Sequence, residues 1–136
     1  MPRFLFAYGT LRDADVLALA LGRPAGALLL RAAFAPGCEV VGLPGRSYPA
    51  IRRRSGGRAE GVLIEGLGAA DFVALDGFEG SEYLRGPIDL IVNGLPRAAD
   101  VYWPAVEIGE GSPWRFEEWT DRHKAGFLSS EAGNIA

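Results

Sequence analysis

Runs of apolar residues broken by glycine and proline set the outline of the chain. Phe4-Leu5-Phe6-Ala7-Tyr8 is a short apolar-aromatic run between Pro2 and Gly9, and reads as a buried first strand. From Asp13 to Leu21, Val16, Leu17, Leu19, Ala20 and Leu21 follow an aspartate, which predicts an Asp-capped helix stopped by Gly22 and Pro24. Leu28 to Val41 is apolar with Pro36-Gly37 inside it, consistent with one or two strands around a bend. A loop by composition, Gly42 to Ser47, precedes extended Tyr48-Pro49-Ala50-Ile51, since the residue before proline is pushed out of the helical region. Ser55-Gly56-Gly57 is expected to turn the chain into a strand over Ala59 to Glu65.

The second half continues in the same way. Phe72, Val73, Leu75 and Phe78 predict a short helix packed inward, weakened at Gly77 and ended by Gly80. Ile88 to Val92, the Asn93-Gly94 turn and Ala98 to Trp103 form a predicted hairpin, closed by Pro104. Ser112-Pro113 reads as the start of a last helix, with Ser as N-cap and Pro in its first position. Phe116, Trp119, Thr120, His123 and Phe127 recur at spacings of three and four, a stripe expected to dock onto the sheet or a second subunit. A homodimer is one outcome of that, and His123 is read as a packing residue.

Composition narrows the function more than the fold. The 136 residues fit one domain, with the part from about residue 112 as a helical extension. Nineteen glycines and nine prolines favour a turn-rich fold with much β structure over a helix bundle. A formal charge of −3 argues against a nucleic-acid partner, and Arg52-Arg53-Arg54 reads as a solvated strand end. Cys38 and His123 are the only residues of their types, which removes disulfides, the common zinc sets and most nucleophile–histidine pairs. The longest apolar stretch, Val16 to Ala35, is broken by Arg23, Pro24 and Arg31, so no membrane span is expected. With no signal-like start, a cytoplasmic protein is the expectation.

The chemistry concentrates in Leu75-Asp76-Gly77-Phe78-Glu79-Gly80-Ser81-Glu82-Tyr83-Leu84-Arg85. Glu79 follows Phe78, which places its carboxyl group at the edge of a core, where lost solvation raises its pKa and suits it to carry a proton near neutral pH. Asp76 is three residues away on the same helical face, so a divalent-metal site is a rival reading. More simply, Asp76 charges the helix end and Glu82 is solvated. At the other end of the chain, a strand running into Gly9-Thr10-Leu11-Arg12 brings backbone N–H groups to a tight turn able to hold an anion.

Phe6-Ala7-Tyr8-Gly9-Thr10-Leu11-Arg12 together with Leu75 to Gly80 and Tyr83-Leu84-Arg85 resembles the γ-glutamylcyclotransferase-like family. It is most similar to the branch with γ-glutamylamine cyclotransferase and the AIG2-like proteins. Tyr48-Pro49-Ala50 and Glu60-Gly61-Val62 fall in the family's order, so the resemblance covers residues 3 to 104. It implies an α+β fold: a small, mostly antiparallel β-barrel with flanking helices. It also implies a γ-glutamyl small-molecule substrate whose α-amine attacks its own γ-carbonyl, releasing 5-oxoproline. Glu79 matches the catalytic glutamate, Tyr8, Gly9, Thr10 and Leu11 the substrate loop, and Tyr83 an aromatic residue near the pocket. No metal or other cofactor is implied. A non-catalytic binding domain with the same fold is the other reading. Arg46, Arg52 and Arg85 are candidates to meet a second substrate carboxylate, with Arg85 alternatively an ion-pair partner of Glu82.

Overall fold

The computed structural model describes the backbone of residues 3–135 and the side chains of residues 4–130. Six strands and four helices follow along the described residues: β1 Arg3–Ala7, α1 Ala14–Leu21, β2 Leu29–Gly42, β3 Pro49–Leu67, α2 Ala69–Glu79, β4 Tyr83–Val92, β5 Leu95–Pro104, β6 Ser112–Pro113, α3 Phe116–Arg122 and α4 Lys124–Ile135. The class is α+β with a mostly antiparallel sheet, as expected. Neighbouring strands run β3-β1-β5-β4-β2, and β2 pairs again with β3, so the ring of pairings closes. Two joints are thin: β1 meets β5 in parallel at Leu5 and Asp100, and β2 meets β4 at Phe34 and Ile91.

The alternation of β1 decides where the cores lie. Leu5 and Ala7 face a cluster that includes the helices, through Val16, Leu17, Phe72, Leu75 and Trp119. Phe6 and Tyr8 face the other way, into a cluster built from strand residues such as Ile51, Leu63, Leu90 and Val101. The sheet thus has a filled interior on one side and a helical layer on the other.

Local signals explain most element ends. The Asp13 carboxylate accepts from the N–H groups of Asp15 (3.0 Å) and Val16 (3.1 Å), a cap that stabilises α1 by about 1 kcal/mol. Gly22, at φ +72°, closes the same helix. Asn93 and Gly94 both have positive φ and join Val92 to Leu95, the two-residue turn that the sequence predicts. No helix among the described residues is long and apolar enough to cross a membrane.

Five expectations are corrected. The chain does not reverse at Ser55-Gly56-Gly57: β3 runs on in one direction, and its register against β2 jumps from Pro36–Arg58 to Cys38–Arg53. Residues 54–57 are accommodated as a wide bulge opposite Gly37, because both flanks gain ladder bonds to β2 that a reversal would forfeit. Arg52–Arg54 therefore lie within β3 rather than at its end. Ser112-Pro113 opens no helix; it pairs with Val41 and Gly42 at the sheet edge, and α3 starts at Phe116. Along the predicted stripe Trp119 is buried, but the helix breaks at His123, which is exposed. Val73 is exposed too, since α2 buries the stripe of Phe72 and Leu75 and position 73 falls off it.

Candidate active site

Where β1 ends, a 3-10 turn over Thr10–Arg12 carries the chain towards α1. Its own bonds run from Arg12 N–H to Gly9 O (3.1 Å) and from Asp13 N–H to Thr10 O (3.0 Å). The N–H groups of Thr10 and Leu11 lie before the first of these and are not used by the turn. Gly9 is needed for packing: a Cβ there would come within 2.9 Å of Pro49 Cγ. The near neighbour is thus the start of β3.

Pro49 and Tyr48 bring the start of β3 to the turn, and the end of α2 comes from the other side. Together they enclose a cavity of about 150 Å³ lined by Tyr8, Gly9, Thr10 and Leu11 with Glu79 and Tyr83. The six residues that the family resemblance assigns to the site therefore meet at one place. The sequence did not single out Tyr48, Glu82, Tyr102 and Phe127 as site residues, and they line the cavity as well. Tyr48 had a signal in its place before Pro49. Tyr102 is one step of the β5 alternation, and Phe127 was visible only as a member of the C-terminal stripe.

The four tyrosines are fixed through their hydroxyl groups. Tyr8 donates to the Tyr102 carbonyl (2.8 Å), Tyr83 to the Pro49 carbonyl (2.6 Å) and Tyr102 to Asp76 Oδ1 (2.7 Å). Tyr48 donates to Glu82 Oε1. Burial, with the nearby Glu79 carboxyl adding to it, pushes Tyr8, Tyr83 and Tyr102 well above the usual tyrosine range, so they stay protonated.

Glu79 is the last residue of α2, and Gly80, at φ +68°, turns the chain away behind it. No described residue makes a hydrogen bond to its carboxyl group. Burial alone pushes it up to about 8 from the ordinary 4.5. It is thus a half-buried acid, neutral at rest, open to the cavity and ringed by aromatic groups.

Its neighbours are committed elsewhere. Asp76 does share the helix face, but Arg85 grips it from Nε at 2.9 Å and Tyr102 donates to it, so its carboxyl is held below the usual range by Arg85. Arg85 reaches on to Asp100 (2.7 Å), not to Glu82. Among the described residues no three His, Cys, Asp or Glu side chains converge as a metal set. Glu82 is not merely solvated: Arg46 and Tyr48 bind it and hold its carboxyl low, Arg46 most of all. Arg52 is taken up by Glu39 (2.7 Å) and by the Glu110 carbonyl (3.0 Å). Of the three candidate arginines only Arg46 reaches the cavity rim, through Glu82.

Known proteins resemble this chain to different depths. An AIG2-like protein of Arabidopsis thaliana is 31% identical over 133 residues, covering 93% of this chain and 77% of that one. Another from the same plant is 30% identical over 130 residues, covering 91% and 83%. A solution structure of an Arabidopsis thaliana protein superposes with a TM-score of 0.72 at 28% identity, covering 95% of this chain and 87% of that one. A structure described as a gamma-glutamyl cyclotransferase superposes with a TM-score of 0.66, covering 97% and 87%, and at 13% identity the likeness is one of fold. The model of the family described as gamma-glutamyl cyclotransferase, AIG2-like, matches residues 5–121, which takes in the turn after β1, the end of α2 and the start of β4. The chain belongs to that family.

Proposed function

We propose that the protein is a γ-glutamyl cyclotransferase with Glu79 as its general acid/base. The observation that carries this reading is a carboxyl group with no hydrogen-bond partner, raised to about 8, facing the Tyr8–Leu11 turn across a small cavity. A γ-glutamyl α-amine stands beside its own free carboxylate and is more basic than a peptide N-terminus, so a carboxyl group raised from 4.5 to about 8 is far better matched to it than an ordinary glutamate. That match suits a group that must take a proton and soon return it.

The steps follow from the substrate. In the ionised fraction of Glu79, with the α-amine as the free base, the glutamyl α-nitrogen attacks the γ-carbonyl carbon, closing a five-membered ring, and its proton passes to the Glu79 carboxylate. Glu79 then delivers that proton to the departing nitrogen as the carbon–nitrogen bond breaks, giving 5-oxoproline and a free amine. Because nucleophile and electrophile belong to one molecule, the protein's task is to fold the substrate into the ring-forming shape. The Thr10 and Leu11 N–H groups are suited to the α-carboxylate or to negative charge growing on the γ-oxygen. As written, the reaction needs no metal or nucleotide.

Incubation with a panel of γ-glutamyl amino acids and γ-glutamyl amines, with 5-oxoproline as the readout, tests the proposal. Release by the wild type and its loss in Glu79→Gln is the expected result. A ligand that binds without turning over would make the chain a binding protein on the same fold.

A further inference from the structure

The last helix begins where the family match has ended, at residue 121, and yet it reaches the cavity. Lys124, the first residue of α4, places its Nζ 2.8 Å from carboxylate oxygens of both Asp13 and Asp15. These are the cap and the first turn of α1, so α4 is tied to the helix that follows the Gly9 turn. Nearly one turn further on, Phe127 lines the cavity. Its ring meets Phe78 edge-on, with centroids 6.3 Å apart, and Trp119 likewise at 5.6 Å. Trp119 is 1% exposed, which gives Phe127 a rigid backing. Two phenyl rings therefore form an apolar wall immediately beside Glu79.

Resting on the γ-glutamyl reading above, we infer that Phe127 determines specificity on the leaving side of the substrate, selecting leaving amines that carry an apolar chain or ring. The glutamyl end bears an ammonium and a carboxylate, and both need polar partners. The Tyr8–Leu11 turn, the tyrosine oxygens and Glu79 supply these, whereas Phe78 and Phe127 supply none. With the scissile bond at Glu79, the group beyond it is what remains to meet the two rings. A charged group there gives up hydration without a hydrogen bond in return, while an apolar one gains by the same contact. A second carboxylate also faces Glu82, which is ionised. The chain thus takes one of the two rings of its leaving-group wall, Phe127, from a segment outside the family match.

The test uses γ-glutamyl methyl-, propyl-, butyl- and benzylamide, with the γ-glutamyl amide of a diamine as the charged member. Affinities are measured by calorimetry on the Glu79→Gln protein, so that the pocket is read whether or not the chain turns over. Affinity is expected to rise about two- to fourfold per added methylene, the benzylamide and butylamide to bind best, and the diamine amide to fall below butylamide. In Glu79→Gln/Phe127→Ala the rise is expected to flatten to under twofold across the series, with Phe127→Leu in between. If Phe127→Ala melts below the assay temperature by circular dichroism, Phe127→Leu decides by the same criterion. A gradient unchanged by the Phe127 variants overturns the inference. So does equal weakening of every member, which would put Phe127 against the glutamyl methylenes, and so does a preference for the diamine. Graded binding without 5-oxoproline release by the wild type would remove the cyclotransferase reading and leave Phe127 its role; no binding by any member removes both.

Discussion

Glu79 and Glu82 are three residues apart and line the same cavity, but their carboxyl groups end up on opposite sides of neutrality. Glu79 closes α2 among rings and has no partner, so lost solvation wins and the acid stays protonated. One 3-10 turn later, Glu82 meets Arg46 and Tyr48, and their pairing outweighs its smaller loss of water. The lesson is that the chain assigns roles to two like residues by the company each keeps. The residue that pairs well is the one left unable to shuttle a proton.

The harshest test of that contrast is to replace each carboxyl by its amide. Glu79→Gln is expected to reduce 5-oxoproline release by about 10²–10⁴-fold. Glu82→Gln is expected to reduce it by no more than a few-fold. Comparable losses would break the distinction. Stability supplies a second reading of Glu79. In the unfolded chain it loses its proton near the ordinary 4.5, whereas the folded chain keeps it up to about 8. The wild type should therefore lose stability as pH rises across that window, with a slope of at most about 1.4 kcal/mol per pH unit, and stay level above it. The Glu79→Gln protein lacks this term, so urea midpoints of the two should diverge from pH 5 to pH 8 in favour of the variant.

Gly9→Val probes the wall that both carboxyl groups share. A branched Cβ would displace Pro49, whose carbonyl holds the Tyr83 hydroxyl. A cost of about 1–3 kcal/mol in chemical denaturation is expected, with a raised KM in whatever folds. Unchanged stability and KM would place the glycine's importance elsewhere. Arg46→Ala should cost less in chemical denaturation, because the pair with Glu82 is partly exposed and screened by solvent. The sign is informative. Glu82 is held low, so its pairing contributes above the ordinary glutamate range and is lost as acid protonates it, and the variant should lack that acid-side decline in its urea midpoints. Smallest of all is the effect of a chelator, for which no change in 5-oxoproline release is expected. Loss restored by a divalent cation would instead make Asp76 and Glu79 partners in an ion site.

How far the sequence could be read depended on the range of the forces involved. Asp13 capping α1 and the Asn93-Gly94 turn are contacts within a few residues, and both were legible. The Gly9 turn and Glu79 were legible from their own residues and, with Tyr83, from a family resemblance, whereas the cavity that joins them is a long-range fact. What could not be read was competition between local signals and distant partners. Ser55-Gly56-Gly57 has the composition of a reversal, but pairing with β2 on both sides keeps β3 running on in one direction past it, as a bulge. Ser112-Pro113 has the composition of a helix start, but Gly42 offers it a strand edge. Arg85 had Glu82 three residues away, and instead reached Asp76 and Asp100 on neighbouring elements. Phe127 was visible as part of a stripe, but nothing in one sequence says which surface a stripe will touch.

The fixed tyrosine hydroxyls have a bearing on what can be made to bind here. Each of the four has given its proton to a protein oxygen, so each has only lone pairs left to offer. To an entering molecule the cavity is short of donors over most of its surface, with the backbone of one turn and a protonated Glu79 as the exceptions. A synthetic inhibitor decorated with sulfonyl, nitro or carbonyl groups would be mismatched over most of the wall. One that carries its own N–H groups towards the tyrosines, and a single anionic group towards Thr10 and Leu11, fits the wiring as built.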